Sequence, residues 1–209
     1  MRYERKYRIL GTTVEEWEYL VRQVPIFFRK SYPIRAVHNI YFDTINYDYL
    51  YQNIDGIQQR SKFRLRWYGD RMDKTKLEQK VKDGFLGFKN SFKVKDIDIQ
   101  DLNSLKQHIN DMRVAEELIF PVYYNRYKRK YFESKDGKFR VTLDFEQMFD
   151  SLEGKARLPQ QPLYRDEALI IEIKYDKQYD REALQIIDYI PTRNTKNSKY
   201  VNGMWMSNQ

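Results

Sequence analysis

Lys62-Phe63-Arg64-Leu65-Arg66-Trp67 is the stretch that decides how this chain folds. Side chains of a β-strand point alternately to the two faces of a sheet, so the spacing places three cations in one row and three apolar side chains in the other. Strict alternation of this kind predicts a strand with one charged and one buried face. The pattern recurs in five other stretches, at Arg2/Glu4/Lys6, Lys76/Glu78/Lys80, Arg126/Lys128/Lys130, Arg140/Thr142/Asp144/Glu146 and Glu172/Lys174.

The repetition of charged strand faces matters more than any one of them. A single charged face is ordinarily the solvent side of an antiparallel sheet. Many cations on the same face repel one another across paired strands, however, which favours a surface that holds a polyanion. A sheet closed into a barrel with this side inward would need a charged ligand and water in its lumen. The interspersed acids would then pair with cations or hold a metal: Glu4, Glu78, Asp144, Glu146 and Glu172.

Composition narrows the class of partner. The 209 residues include 38 Lys plus Arg against 30 Asp plus Glu, a net charge of +8 that favours nucleic acid, acidic lipid or phosphate-rich small molecules. The absence of cysteine excludes disulfides and thiolate chemistry, and His38 and His108 have no ligand-pair spacing. No apolar run approaches the ~20 residues of a membrane helix, and no signal peptide is present. We therefore expect a soluble, cytoplasmic protein with one domain over residues 1–209.

Local signals predict a mixture of strands and helices. A capping box at Thr12-Thr13-Val14-Glu15-Glu16 starts a helix that runs to about Val24. Gly69-Asp70 and Asp136-Gly137 predict hairpin turns, and Gly84 and Gly87 predict a loop. The remaining expected strands and helices are strands Arg2–Ile9, Val37–Asp43, Val122–Phe132, Phe139–Phe145 and Ala168–Tyr175, and helices Asp98–Met112 and Asp180–Ile190.

Eight short motifs follow one another along nearly the whole chain. They are Tyr3-Glu4-Arg5-Lys6, Asn39-Ile40-Tyr41-Phe42-Asp43, Arg64-Leu65-Arg66-Trp67-Tyr68-Gly69, Leu77-Glu78-Gln79-Lys80, Tyr124-Asn125-Arg126, Arg140-Val141-Thr142-Leu143-Asp144, Ile171-Glu172-Ile173-Lys174 and Ser198-Lys199-Tyr200. Each motif alone is weak, but their order and spacing are specific. In these motifs the chain resembles the vacuolar transporter chaperone (VTC) domain, the polyphosphate polymerase branch of the CYTH, or triphosphate tunnel metalloenzyme, superfamily.

The resemblance implies an α+β fold that is mainly antiparallel β, an eight-stranded closed β-tunnel with a charged lumen and peripheral helices. It implies that basic residues line the tunnel, bind the triphosphate and serve catalysis: Lys6, Arg64, Arg66, Lys80, Arg126, Arg140 and Lys199. Lys174, Tyr124 and Ser198 are implied as further substrate-binding neighbours. Such cations neutralise and orient phosphates, since arginine gives forked contacts and lysine gives a point charge.

The resemblance also implies a metal. Glu172 matches the acidic catalytic residue that binds Mn²⁺ or Mg²⁺ in the family, and Glu4 and Asp144 are the next candidates. Alternatively, Glu4 pairs with Lys6 or a cross-strand arginine, and Asp144 stabilises Arg140 or Arg126. The wider superfamily begins with Glu-x-Glu-x-Lys, whereas this chain has arginine in place of the first glutamate. The loss of one acid favours one metal ion over two and fits polyanion binding better than hydrolysis.

Three functions follow as hypotheses. The first is an ATP-dependent polyphosphate polymerase that transfers the γ-phosphate to inorganic polyphosphate. The second is a metal-dependent triphosphatase that acts on inorganic triphosphate or a nucleoside triphosphate, with water as the acceptor. The third is a non-catalytic module that binds polyphosphate or RNA. Aromatic side chains on the strand faces opposite the cations cannot stack bases in the same groove, which disfavours the third, and no DNA partner is expected.

Overall fold

The structure is a computed structural model that describes residues 2–69, 71–84, 86–95, 97–190, 195 and 197–207. Nine strands and five α-helices make up its regular structure. The strands are β1 (Arg2–Ile9), β2 (Arg29–Asp43), β3 (Gln59–Tyr68), β4 (Arg71–Asp83), β5 (Leu86–Lys93), β6 (Phe120–Glu133), β7 (Phe139–Ser151), β8 (Tyr164–Asp166) and β9 (Leu169–Asp176). The helices are α1 (Val14–Gln23), α2 (Asp48–Ile54), α3 (Leu102–Asp111), α4 (Asp180–Ile187) and α5 (Lys199–Ser207), with a 3₁₀ turn at Lys177–Tyr179.

The strands form one sheet in the order β1-β9-β7-β6-β2-β3-β4-β5, and β8 pairs with β7. The β1–β9, β7–β9, β2–β3, β3–β4 and β4–β5 ladders are antiparallel, which confirms the mainly antiparallel expectation. The sheet has nine strands, whereas the family resemblance implied eight. In the described part of the chain no ladder joins β1 to β5, so the sheet has two ends and the expected closure into a tunnel is not confirmed.

The chain divides into two compact units. The first contains residues 1–36, 127–147 and 166–197. Its core packs the apolar faces of β1, β7 and β9 against two helices. Trp17 and Val21 of α1 and Ile186 of α4 contribute to this core, because each lies on the apolar side of an amphipathic helix. The charged sides of the same strands therefore lie on the face of the sheet opposite these helices.

The second unit contains residues 37–126, 148–165 and 198–209. One apolar cluster packs Phe63, Leu65 and Trp67 of β3 against α3. These are the three apolar residues of the alternating stretch, and all of them are buried. A separate cluster, to which Tyr123 of β6 and Tyr200 of α5 belong, forms around the end of β2. The alternation predicted for β3 is confirmed.

Several local expectations are confirmed. Thr13 and Glu16 form the reciprocal capping box at the start of α1. The Asp136-Gly137 turn lies between β6 and β7, and Gly137 has a φ of 73°, a conformation that glycine adopts without steric cost. His38 stacks on Trp67 with the ring centroids 5.0 Å apart, as expected for an apolar strand face. Asp70 of the predicted Gly69-Asp70 turn lies outside the described residues, and so does Pro191, the residue that follows the helix predicted over Asp180–Ile190.

Three local features differ from the sequence predictions. Gly84 lies in the turn after β4, as the predicted loop requires, but Gly87 belongs to strand β5. No helix was predicted after Asp180–Ile190, yet Lys199–Ser207 form α5, because tertiary contacts bury Tyr200 and Met204. The strand expected to start at Val37 begins earlier, at Arg29, and passes through Pro33.

No helix in the described ranges combines the length and the apolar character needed to cross a membrane.

Candidate functional site: two charged strand faces

Strand register brings charges together in the first unit. Lys6 of β1 lies opposite Glu172 of β9, and Glu4 lies opposite Lys174. On its other side, β9 pairs with β7, where Thr142 lies opposite Glu172 and Arg140 opposite Lys174. Directly opposed residues share a face of the sheet, so one charged cluster spans β1, β9 and β7, and Arg129 of β6 joins it by pairing with Asp144 and Glu172. We call its members the balanced face: Glu4, Lys6, Arg129, Asp144, Glu172 and Lys174.

Glu172 is the centre of the balanced face. Its carboxylate lies 3.0 Å from the Lys174 ammonium, 3.4 Å from that of Lys6 and 3.4 Å from the Arg129 guanidinium. Only 6% of the Glu172 side chain is exposed, which removes most of the water that would otherwise solvate a carboxylate. A buried carboxylate needs such partners, because an unpaired charge away from water is costly.

Arg129 joins two of the carboxylates. Its Nε and Nη2 both donate to Asp144, the latter over 2.6 Å, and Nη2 also reaches Glu172. Burial lowers the pKa of Arg129, but the carboxylates of Asp144 and Glu172, with Tyr127, raise it well above its ordinary value. Arg129 is therefore a permanent cation with a fixed, forked geometry. Asp144 thus pairs with Arg129, whereas the sequence had suggested Arg140 or Arg126 as its partner.

The expected cationic row Arg126/Lys128/Lys130 does not lie on the balanced face. The Lys130 ammonium is 2.9 Å from Glu18 on α1, and Lys128 pairs with Glu146 at 2.8 Å. Arg129 is one residue before Lys130, so its side chain points to the opposite face of the strand, where it contacts Glu172 of the balanced face. Glu146 leaves the predicted alternation too, since its φ of 49° interrupts the regular strand. This part of the sequence interpretation is wrong by one residue.

The other predicted residues of the first unit occupy the edge of the cluster. Lys6 lies 3.0 Å from Glu4 as well as near Glu172, and it donates to the backbone oxygen of Asn197 over 3.3 Å. Arg140 is mostly exposed and pairs with Glu133 at 3.1 Å. The alternative of a Glu4–Lys6 pair is thus present in the structure.

Glu4 and Glu172 are the carboxylates of the balanced face that could hold a metal ion together. Glu4 and Glu172 both direct oxygens at the Lys6 ammonium, so two carboxylates already converge on one positive group. Asp144 uses both oxygens on Arg129. Among the described residues, no three His, Cys, Asp or Glu side chains are grouped as a complete metal site. One or two carboxylates completed by substrate phosphates are the usual setting for Mg²⁺.

The second unit has a charged face of different composition. Arg64 of β3 lies opposite Glu78 of β4, Lys62 opposite Lys80 and Arg66 opposite Lys76. The β4–β5 ladder places Lys89 opposite Lys80. We call the basic members of this set the cationic face: Lys62, Arg64, Arg66, Lys76, Lys80 and Lys89.

Glu78 is the carboxylate within the cationic face. The guanidinium of Arg64 lies 2.7 Å away, that of Arg66 3.8 Å away, and Lys89 donates to the other carboxylate oxygen. Burial raises the pKa of Glu78, but Arg64, Arg66 and Lys89 together lower it to about 2. Glu78 therefore remains charged near neutral pH and orients both arginines.

A buried amide pair fixes Arg66. The Nε of Arg66 donates to Asn39 Oδ1 over 2.8 Å, and Asn39 Nδ2 donates to Asn125 Oδ1 over 3.2 Å. Both asparagines are fully buried. Their hydrogen bonds hold the guanidinium in place without adding a negative charge.

Tyr124 and Arg126 lie elsewhere in the second unit. The Tyr124 hydroxyl is 2.7 Å from His38 Nδ1, and its ring stacks with Trp67 in the apolar cluster. Burial raises the pKa of Tyr124 to about 12. Because strand side chains alternate, Arg126 points to the same face as Tyr124 and not to that of Asn125. Its guanidinium lies 3.4 Å from Met148 Sδ. The structure therefore does not bring these two predicted residues to the cationic face.

Ser198, the residue before α5, contacts the cationic face. Lys62 Nζ donates to Ser198 Oγ over 2.9 Å. Ser198 immediately precedes α5, and its Oγ also accepts from the Val201 backbone N–H over 3.4 Å, as an N-cap side chain does. Lys199 is the first residue of the helix.

These charged faces belong to a chain of which residues 1–208 match the family model of the VTC domain. The chain belongs to the VTC domain family. The resemblance in its short motifs is thereby confirmed. No curated protein matches the sequence.

Solved structures share the fold of this VTC domain at low identity. A provisionally named adenylate cyclase from Vibrio parahaemolyticus has a TM-score of 0.55 and 15% identity, over 96% of this chain and 97% of that chain. A second, from Bacillus halodurans, has a TM-score of 0.56 and 13% identity, over 97% and 96%. A provisionally named adenylyl cyclase from Hippeastrum, described as having a dominant triphosphatase activity, has a TM-score of 0.54 and 14% identity, over 99% and 97%.

Proposed function

We propose that this VTC domain protein is a metal-dependent phosphotransferase that moves the γ-phosphate of ATP onto inorganic polyphosphate. The observation that carries the proposal is the cationic face, where six basic residues share strand faces with Glu78 and three of them, Arg64, Arg66 and Lys89, contact its carboxylate. Such an excess of fixed positive charge suits a ligand that carries several negative charges along its length.

The proposal gives the arginines of the cationic face the role of phosphate binding. Arg64 and Arg66 are oriented by Glu78 and Asn39, so little ordering remains to be done when the triphosphate binds. Their forked donors match phosphate oxygens, while Lys62, Lys80 and Lys199 add charge without a fixed direction. Arg129 takes the role first assigned to Arg126, because it is held among carboxylates by two parallel hydrogen bonds.

The proposal gives Glu172 and Glu4 the role of holding one Mn²⁺ or Mg²⁺ ion, with Lys6 beside both of them. When bound, such an ion would neutralise phosphate charge. Asp144 fits a structural role better, since both of its oxygens accept hydrogen bonds from Arg129.

The reaction requires no covalent intermediate. A terminal oxygen of polyphosphate forms a new bond to the γ-phosphorus, and the bond from that phosphorus to the β–γ bridging oxygen breaks, which releases ADP. The cations hold donor and acceptor in line and stabilise the charge on the transferring group. Closure of the sheet into a tunnel around the polymer, as the family resemblance implies, stays a prediction.

Triphosphate hydrolysis is the second candidate. The fold shared with the Hippeastrum protein, described as a triphosphatase, is the observation that favours it. Water would replace polyphosphate as the acceptor, and the same cations would serve the donor. Polymerase is preferred because the cationic face extends over three strands, from β3 to β5.

One incubation separates the candidates. Purified protein with ATP and Mn²⁺ is followed by ³¹P NMR and by gel electrophoresis of the products. Long phosphate chains with ADP support the polymerase, whereas free orthophosphate supports the triphosphatase. Binding of polyphosphate without any loss of ATP would leave the binding module as the function and reject both enzymes.

A further inference from the structure

Two motif residues, Asp43 and Tyr200, have no role in phosphate binding in the scheme above. They close the motifs Asn39-Ile40-Tyr41-Phe42-Asp43 and Ser198-Lys199-Tyr200, which are separated by more than 150 residues. In the structure their side chains meet, because the Tyr200 hydroxyl donates a hydrogen bond to Asp43 Oδ2. The contact joins the end of β2 to the first turn of α5.

Asp43 is a rigid anchor. It is fully buried and accepts hydrogen bonds from the backbone N–H groups of Thr44, Tyr49 and Leu50 at 2.8 to 2.9 Å. Burial raises the pKa of Asp43, and the donors from Tyr200 and the backbone oppose that rise. The carboxylate therefore fixes the start of α2 and the start of α5 at one point.

The fit of α5 is close on two further sides. The Tyr200 ring stacks on Tyr41 with the centroids 5.1 Å apart and the planes 7° from parallel. A Cβ built on Gly203 would lie 1.3 Å from the Tyr123 hydroxyl oxygen, so only glycine permits this approach. The helix is thus located by a hydrogen bond, a ring stack and a backbone contact.

The residues before Tyr200 indicate a role for the position of α5. Ser198 accepts from Lys62, which shares a strand face with Arg64 and Arg66. Lys199 follows directly. We propose that the Tyr200–Asp43 hydrogen bond is a positioning contact that holds the start of α5, and with it Ser198 and Lys199, against the cationic face. This inference rests on the proposed function, since it assigns Lys199 to phosphate binding.

The test compares Tyr200→Phe with Lys199→Ala and the double variant. Tyr200→Phe keeps the stacked ring and removes the donor, while Asp43 keeps its three backbone partners. The affinity for inorganic tripolyphosphate is measured by calorimetry. Each single change is expected to weaken binding about tenfold, the loss of one charge-assisted contact. Because Tyr200 acts through the start of α5, the double variant should bind about as weakly as Lys199→Ala alone.

Hydrogen exchange gives a second readout that needs no ligand. Backbone amides of α5 should exchange about tenfold faster or more in Tyr200→Phe, as expected when a local contact that limits opening is lost. Tyr49→Phe is the matched control, since it removes a hydroxyl from a ring that packs on Phe63 in the apolar cluster and leaves the Tyr49 backbone donor to Asp43 in place. It should alter neither affinity nor exchange in α5.

The outcomes separate the two proposals. If the single losses multiply to about a hundredfold in the double variant, Tyr200 does not act through Lys199 and the positioning role is rejected. Unchanged exchange in α5 rejects it as well. If the unmodified protein fails to bind tripolyphosphate, the proposed function falls; the exchange result then decides alone whether Tyr200 holds α5 in place.

Discussion

The balanced face and the cationic face are both built from strands of alternating pattern, yet their charges are compensated differently. On the balanced face three carboxylates lie among three cations, and the carboxylate of Glu172 contacts all three of them, Lys6, Arg129 and Lys174. On the cationic face six basic residues share strand faces with Glu78, and three of them contact its carboxylate. A balanced cluster can satisfy its own charges, whereas an excess of one sign needs an external partner. Strand alternation places charges on a face, and the choice of sign decides what that face can bind.

The largest effect is expected from a change on the cationic face. Arg64→Ala removes a proposed hydrogen-bond donor to phosphate and a guanidinium 2.7 Å from Glu78, so affinity for tripolyphosphate should fall about a hundredfold, as measured by calorimetry. Arg60→Ala is the control, because Arg60 lies on the same strand but donates to the backbone oxygen of Ile57. Equal losses in the two variants would mean that charge in general, not the position of Arg64, governs binding.

Acid should lower the stability of the second unit, because it protonates Glu78. The pKa of Glu78 is about 2 in the folded protein against an ordinary value of 4.5, so its ionisation favours folding above pH 4.5 and this contribution is lost as the pH falls toward 2. We expect Glu78→Gln to lower the free energy of unfolding by about 2 kcal/mol at pH 7. Urea titrations between pH 7 and pH 2 should show the difference shrinking below pH 4.5. A difference independent of pH would contradict the assignment.

The comparison also shows what the sequence could predict. The face of β3 followed from alternation, since Phe63, Leu65 and Trp67 leave only one buried side. The face of β6 did not, because basic residues occupy every position from Arg126 to Lys130 except Tyr127. The face that each β6 side chain occupies depends on Glu18 of α1, more than 100 residues away. Glu18 pairs with Lys130 on one face, and Arg129 pairs with Asp144 on the other. One local signal does agree with the structure: Tyr123, Tyr127 and Tyr131 recur every four residues, at positions that lie on the same strand face as Arg129.

The partners of Glu78 and Asn39 could not be predicted from the sequence for a related reason. Their motifs were recognised, but the partner of each is fixed only by strand register, which pairs Asn39 with Arg66 and Arg64 with Glu78. The helix α5 was missed because its sequence has little periodic apolar character. Contacts with Asp43 and Tyr41, distant in the chain, stabilise it instead.

A metal titration tests the balanced face. Glu172→Gln keeps the shape of the side chain and removes the charge, and we expect Mn²⁺ affinity, followed by electron paramagnetic resonance, to fall at least about tenfold, as for loss of a metal-site group. Glu146→Gln serves as control, since Glu146 is exposed and pairs with Lys128 outside the cluster. Retention of full Mn²⁺ affinity in Glu172→Gln, or normal polymer yield from Glu172→Ala, would reject the metal-binding role.

The smallest effect concerns the excess charge itself. Glu78→Gln makes the cationic face more positive, so tripolyphosphate should bind about fivefold tighter, the result of removing ~1 kcal/mol of repulsion at the value for water. The gain should shrink in 1 M salt, where charges are screened within ~3 Å. Weaker binding at all salt concentrations would show that the orientation of Arg64 by Glu78 matters more than the charge it neutralises.

Gly203 has a consequence for the helix that contains it. A glycine inside a helix costs about 1 kcal/mol relative to alanine, and helices shorter than ~12 residues are marginal on their own in water. The nine residues of α5 therefore have little tendency to be helical apart from the surface they touch. A synthetic peptide of this segment should be a random coil. The helix α5 therefore folds only as it docks, and Lys199 reaches its final position in the same step. The chain does not carry that ammonium on a helix that forms before it docks.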